Sequence, residues 1–413
     1  MFRILSATIL ICFSVATYAQ RASALKNMRI LTSDSLAGRG YVENGMHKSA
    51  TYIADQLDQL GAEPAIEVSS FFQEITPFSV NTFPSKITFN AYDKKQNPKI
   101  FTAGKDFLLH PASAPMNKEE VELNYLHDEK ALDRVKSNKA YYINKHAFDK
   151  EAFHKIEQAF IADEKVENSL LVVYDSTKLS WYPSQNQAKN AVIYSNQPIA
   201  EKYISANWKS VLNNAFQAVN VIGKISGNRN DSAIFFSAHY DHLGRLGEHI
   251  FPGANDNASG VALLLTLAEH YSNNTPEFDT YFLFTTAEEI GLLGSYYYVT
   301  NPLLPLNKIK LLVNLDLVGT GEEGITIVNG TKHGKIFDLF TGLNATRLSQ
   351  IKARGEACNS DHCFFDKAGV PAIFIYTLGG SKAYHDIHDD ISSPSLYAFN
   401  QLQSLIIDVV NSL

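Results

Sequence analysis

"AHYDHLGRLGEHIFPGANDNASG", residues 238–260, decides how the fold is read. It gathers His239, Asp241, His242 and Asp256 around small residues and closes with Ala258, Ser259 and Gly260. Solvated loops can be rich in charge, but this one is bracketed by apolar runs. Ala233-Ile234-Phe235-Phe236 precedes it and Val261-Ala262-Leu263-Leu264-Leu265 follows it. The first run reads as a buried strand and the second as a helix. The polar residues therefore stand at a strand end and a helix start.

The same alternation continues outward. "VNVIGKI", "AIFFSA", "TYFLFTTA", "KIKLLVNLDLV", "GITIVNG" and "PAIFIYT" read as strands. "SGVALLLTLAEHYS", "GLLGSYYYVTN", "KIFDLFTGLN" and the closing "SPSLYAFNQLQSLIIDVVNSL" read as helices. Apolar strands alternating with helices predict an α/β fold with three layers, α/β/α, around a mostly parallel mixed sheet. Ligands of such sheets lie beyond the carboxyl ends of the strands.

Upstream, "MHKSATYIADQLDQLGAEP" spaces Ala50, Ile53, Ala54, Leu57 and Leu60 as one helix face, stopped by Gly61 and Pro64. "LTSDSLAGRGYVENG" before it reads as a loop. Residues 80–215 change character, with short β-branched and aromatic runs between turns, interrupted by helical patches such as "KEAFHKIEQAFIA". They are expected to form a mainly β inserted domain. Residues 1–19 carry Arg3, an apolar stretch and small residues ending at Ala19, the layout of a cleaved signal peptide. The expected division is a signal at 1–19, the N-terminal part of the main domain at 20–79, the insertion at 80–215 and the main domain at 216–413.

A formal net charge of -7, spread without a basic run, gives no general attraction for nucleic acid. No segment after the signal is long and apolar enough to span a bilayer, so no stable membrane insertion is expected. Export makes a Cys358–Cys363 disulfide possible, but the loop it would close is very small. A bridge and two free thiols both stay open.

Acidic and histidine residues recur at the strand ends. His239 and Asp241 end one strand, Glu288-Glu289 follow the next, and Asp316 ends a third. Tyr384-His385 follow "PAIFIYT", and Asp256 precedes the first helix. Gathered carboxylates repel one another unless a cation sits among them. Imidazole mixed with carboxylate suits zinc.

These residues, with Gly253-Ala254-Asn255-Asp256-Asn257-Ala258-Ser259-Gly260, Asn314-Leu315-Asp316 and Ser360-Asp361-His362, resemble the M28 family of co-catalytic zinc peptidases. "LTSDSLAGRG" resembles that family's N-terminal segment. The resemblance implies two Zn²⁺ ions. His239 and Asp316 would hold one, Glu289 and His385 the other, and Asp256 would bridge both. It further implies Glu288 as general base, Tyr384 as a donor to the oxyanion, and a cis peptide between Asp256 and Asn257. Asp241, two residues past His239, is expected to accept the imidazole N–H with its carboxylate. His242 departs from the Ser common in the family and is expected to be a loop or packing residue, like His249, Cys358, Cys363 and His388. Ser360-Asp361-His362 is expected to support the site, since three adjacent residues cannot form a relay. Asp389 and Asp390 are expected to support the loop of His385.

The function implied is an exported metallo-aminopeptidase acting on peptides. Two alternatives share the fold. A single-zinc glutaminyl-peptide cyclase is disfavoured by the peptidase-like "DNASG". A carboxypeptidase would need a basic pocket, for which Arg245 and Arg354 are candidates.

Overall fold

The computed structural model describes residues 20–65, 70–84, 86–93, 97–128 and 135–413. The expected signal peptide lies outside the described residues. A helix near the start of the main domain, α1 (Gly45–Gln59), buries Ala50, Ile53, Ala54 and Leu57, the apolar stripe read from the sequence. That face packs into the main core, whose centre is the sheet to which α1 is attached.

The sheet is mixed, with a parallel centre. Its principal strands are β1 (Val219–Ile225), β2 (Arg229–His239), β3 (Phe278–Thr285), β4 (Ile309–Leu315), β5 (Ile325–Val328) and β6 (Ala372–Thr377). Their spatial order is β1-β3-β2-β4-β6-β5. β2 pairs in parallel with both β3 and β4, and β4 with β6. β1 and β5 are antiparallel to their neighbours β3 and β6. Residues on both faces of β2 and β4 are buried, which is why these strands read as continuous apolar runs rather than alternating ones. Helices α2 (Ser259–Asn273) and α6 (Phe399–Asn411) cover one face. Tyr298 of α3 (Leu293–Thr300) and Phe365 of α5 (His362–Lys367) pack on the other, against Phe235, Leu283 and Leu312. A further helix, α4 (Gly334–Leu343), lies against α6. The three-layer expectation holds.

A second sheet of eight strands is built from residues between Thr88 and Trp208, with a helix at Lys150–Ala162 packed on it. The two sheets are joined through the middle of the quoted stretch. "GRL" and "HIF" pair as a hairpin, and Leu243, Leu246 and Phe251 are buried in the core of the second sheet. Phe251 stacks on Trp181 at 5.2 Å between ring centroids. The 13 residues between the two polar clusters of the opening stretch are thus a docking finger, which their sequence did not announce.

Candidate metal centre

The parallel register brings the strand ends level. His239 ends β2, Asp316 follows β4, Glu288 and Glu289 lie on the turn after β3, and His385 lies on the loop after β6. Asp256 reaches the same place from the segment leading into α2. Two glycines permit that approach. A Cβ on Gly260 would stand 2.5 Å from the carbonyl oxygen of Leu315 and 2.3 Å from the Asn257 side chain. Gly253 has φ +59 and no room for a Cβ against the Asp256 carbonyl. The Asp256–Asn257 peptide is cis.

Asp256 faces both ways. Its Oδ1 lies 3.3 Å from His239 Nε2, and its Oδ2 lies 3.1 Å from His385 Nε2. Asp316 Oδ1 is 3.4 Å from His239 Nε2. Glu289 Oε2 is 3.1 Å from His385 Nε2. Four ligands held at ~2.0–2.1 Å by one tetrahedral ion stand about 3.3 Å from each other. The two sets therefore have the spacing of ligands around an ion on each side of Asp256. Asp316 Oδ1 is buried with no hydrogen-bond partner, as expected of an atom reserved for a cation. His239, Asp256 and Asp316 form one group able to hold a metal, and Asp256 and Glu289 belong to a second that includes His242.

Both imidazoles are aimed by bonds at their far nitrogens. His239 Nδ1 lies 3.1 Å from the main-chain carbonyl of Asp241, and His385 Nδ1 lies 3.0 Å from that of Trp181. With Nδ1–H donating, each Nε2 is aimed into the centre.

Several supports differ from expectation. The Asp241 carboxylate does not hold His239: its oxygen stands 3.9 Å away, and the main-chain carbonyl takes that role. The carboxylate has turned to accept the N–H groups of Glu288 and Glu289 and the hydroxyl of Tyr41. It thereby fixes the turn that carries both glutamates. Asp389 accepts the N–H groups of Asn255 and Asp256 rather than bracing the loop of His385. Ser360 donates to Asp316 Oδ2 at 2.9 Å, and Asp361 accepts from Thr285, in the supporting role read for that triplet. Cys358 and Cys363 are bridged and close the loop that carries Ser360.

Three residues at the centre were missed. Arg39, from "LAGRG", is fully buried. All five of its N–H groups have carbonyl acceptors, on Tyr240, Leu31, Pro252, Gly253 and Asp256. Burial lowers its pKa to about 10 despite Asp256 and Asp389 nearby. Trp181 clamps His385 from the second sheet, its N–H donating to the His385 carbonyl at 3.0 Å. His242, expected to be packing, places Nδ1 2.6 Å from Glu289 Oε1. The basic-pocket candidates do not converge on this centre. Arg245 pairs with Glu43, and Arg354 is exposed beside β5.

Charge is concentrated here. Burial pushes the Glu288 carboxyl well above its usual range; His239 opposes this, while Glu289, Asp316 and Asp361 reinforce it. Burial acts against a charged His385, but Glu289 and Asp256 raise its pKa to about 11. The Tyr384 ring stacks on His385 at 3.9 Å between centroids. Tyr182 meets the same imidazole edge-on at 4.6 Å. Both tyrosines remain about half exposed and form the rim of the centre.

Fold and site together define an α/β protein with two metal-capable clusters sharing one aspartate at the strand ends. Residues 220–410 match the profile of Peptidase family M28. The chain is 30% identical over 154 residues to leucine aminopeptidase 2 of Trichophyton rubrum, covering 37% of this chain and 28% of the relative. It is 26% identical over 206 residues to a vacuolar membrane protease of Candida glabrata, covering 48% of this chain and 21% of the relative. The matches thus span about a quarter of those curated relatives. Among solved structures, the fold resembles BSAP, a zinc aminopeptidase from Bacillus subtilis, with TM-score 0.68, 19% identity and coverage of 95% and 94% of the two chains. It also resembles a peptidase M28 precursor from Shewanella amazonensis, with TM-score 0.65, 15% identity and 96% coverage of each. Among the described residues no helix is long and apolar enough to cross a membrane.

Proposed function

We propose that the chain is an exported zinc aminopeptidase with two ions, hydrolysing the first peptide bond of peptides that carry a free N-terminus. The single observation that carries this reading is the placement of Asp256, with one oxygen facing His239 and the other facing His385. His239, Asp316 and Asp256 would hold one ion, and His385, Glu289 and Asp256 the other.

Zinc bound there would supply an activated water and polarise the scissile carbonyl. The remaining work falls to the chain. Glu288 accepts the proton of the attacking water and returns it to the leaving amine. Asp241 holds Glu288 in place through its main-chain N–H. Tyr384, on the rim beside Asp256 and Glu289, donates its hydroxyl to the developing oxyanion. The acidic lining favours a protonated α-amine over a carboxylate terminus. A carboxypeptidase would need a cation to hold the substrate carboxylate, and Arg39, the buried arginine at the centre, has no N–H left to offer one.

The test is a paired assay with free and N-acetylated forms of the same peptides, on protein stripped by chelator and restored with zinc. Zinc-dependent release of the first residue from the free form alone is expected. Equal turnover of the acetylated form contradicts it. Ammonia release from Gln-initiated peptides without hydrolysis would indicate the cyclase.

A further inference from the structure

His242 is fully buried between the N-terminal segment and the metal centre. Its main-chain N–H donates to the Arg39 carbonyl at 3.2 Å, and its ring meets that of His385 edge-on at 5.8 Å. Two roles are open to such an imidazole beside Glu289. It could be a third protein ligand of the second ion, or it could hold the ligand that is there.

Distance separates the two. Neighbouring ligands of one tetrahedral ion stand about 3.3 Å apart, as His385 Nε2 stands from Asp256 and Glu289 at 3.1 Å. His242 Nδ1 stands 2.6 Å from Glu289 Oε1, which is a hydrogen bond to a carboxylate and too close for two ligands. The direction of the bond is fixed as well. An ionised carboxylate only accepts, so Nδ1 carries the hydrogen. The other nitrogen, Nε2, is buried without a partner. Left as a lone pair, it costs less than a buried N–H without an acceptor.

We propose that His242 is a positioning residue for the second metal ion. Its Nδ1–H engages Oε1 of Glu289, so that only Oε2, on the side of His385, is presented to the ion. Glu289 then binds through one oxygen and leaves a coordination position for the reacting groups. The inference rests on the metal reading above.

The test is zinc affinity, read by competition with a chromophoric chelator, in wild type, His242→Ala and His242→Asn. The amide nitrogen of Asn can stand close to where Nδ1 now lies. The alanine variant is expected to bind one of its two zinc ions about 10- to 100-fold more weakly, as for lost partners of metal ligands elsewhere. The other ion should be unaffected, and the asparagine variant should recover most of the loss. Unchanged affinity in the alanine variant overturns the proposal. So does an asparagine variant that binds as weakly as the alanine one or fails to fold. A wild type that takes up fewer than two zinc ions overturns the metal reading itself, and this inference with it.

Discussion

The main-chain carbonyl of Trp181 lies 3.0 Å from Nδ1 of His385, although the two residues are 204 positions apart. The strap around Trp181 also reaches the loop that carries Glu288 and Glu289, since Gln185 donates to the Ile290 carbonyl at 3.0 Å. One connection between strands of the second sheet therefore braces two loops of the first. Trp181 is held by its stack on Phe251 and by an indole N–H bond to the Leu109 carbonyl. Trp181→Ala is expected to cost about 3–5 kcal/mol of stability, measured by urea unfolding. It should also loosen the site of His385, so that a zinc-buffered titration shows weaker uptake of one ion. Trp181→Phe should retain most of both.

Arg39 makes a second prediction. Arg39→Met would take a donor from five carbonyls, of which that of Gly253 keeps the Ala258 N–H, at ~1–3 kcal/mol for each buried one left without a donor or water. Soluble yield and the urea midpoint should both fall sharply. Arg39→Lys keeps the charge but offers three donors in place of five, so its midpoint should fall between the two.

Glu288→Gln removes the proton acceptor while leaving the candidate ligands untouched. kcat is expected to fall about 100- to 10,000-fold, with zinc content unchanged by elemental analysis. Loss of zinc in this variant would place Glu288 among the ligands instead.

The metal-free protein should have a distinctive pH profile. The carboxylates Glu289 and Asp256 raise His385 from 6.5 to about 11 against its burial. A raised folded pKa contributes stability fully present below pH 6.5 and lost as pH rises toward 11. Glu289 is lowered from 4.5 to about 2; its burial and Asp256 oppose this, and His385 and His242 bring it down. A depressed carboxyl contributes stability present above pH 4.5 and lost as pH falls toward 2. The pair therefore helps most between pH 4.5 and 6.5. Thermal melts of chelator-treated protein should show their highest midpoint contribution there, absent in His385→Ala. Zinc must displace the proton of His385, so calorimetric enthalpies of zinc binding at neutral pH should vary with the buffer's ionisation enthalpy.

The convergence of the candidate ligands was legible because sheet topology makes it so. His239, Asp316, Glu288-Glu289 and His385 each follow an apolar run, and parallel strands bring such positions to one edge. Asp256 was legible from the small residues after it. The supports were not. Trp181 and Asp241 act on the imidazoles through main-chain carbonyls, which every residue carries, so no side-chain pattern marks them. Arg39 sits in a loop rich in small and polar residues, where a charged side chain ordinarily faces water. Its burial follows only from the fold of residues 240–256 around it. His242 was visible but ambiguous, because one imidazole among several does not reveal whether its neighbour is an ion or a carboxylate. The hairpin that docks the second sheet looks in sequence like the rest of its loop.

The central claim is that Asp256 holds two ions between His239 and His385. An anomalous-scattering map, collected at the zinc edge from crystals of the zinc-loaded protein, tests it most directly. Two peaks ~3.5–4 Å apart are predicted, each beside one Asp256 oxygen. A single peak, or peaks away from Asp256, would contradict the account.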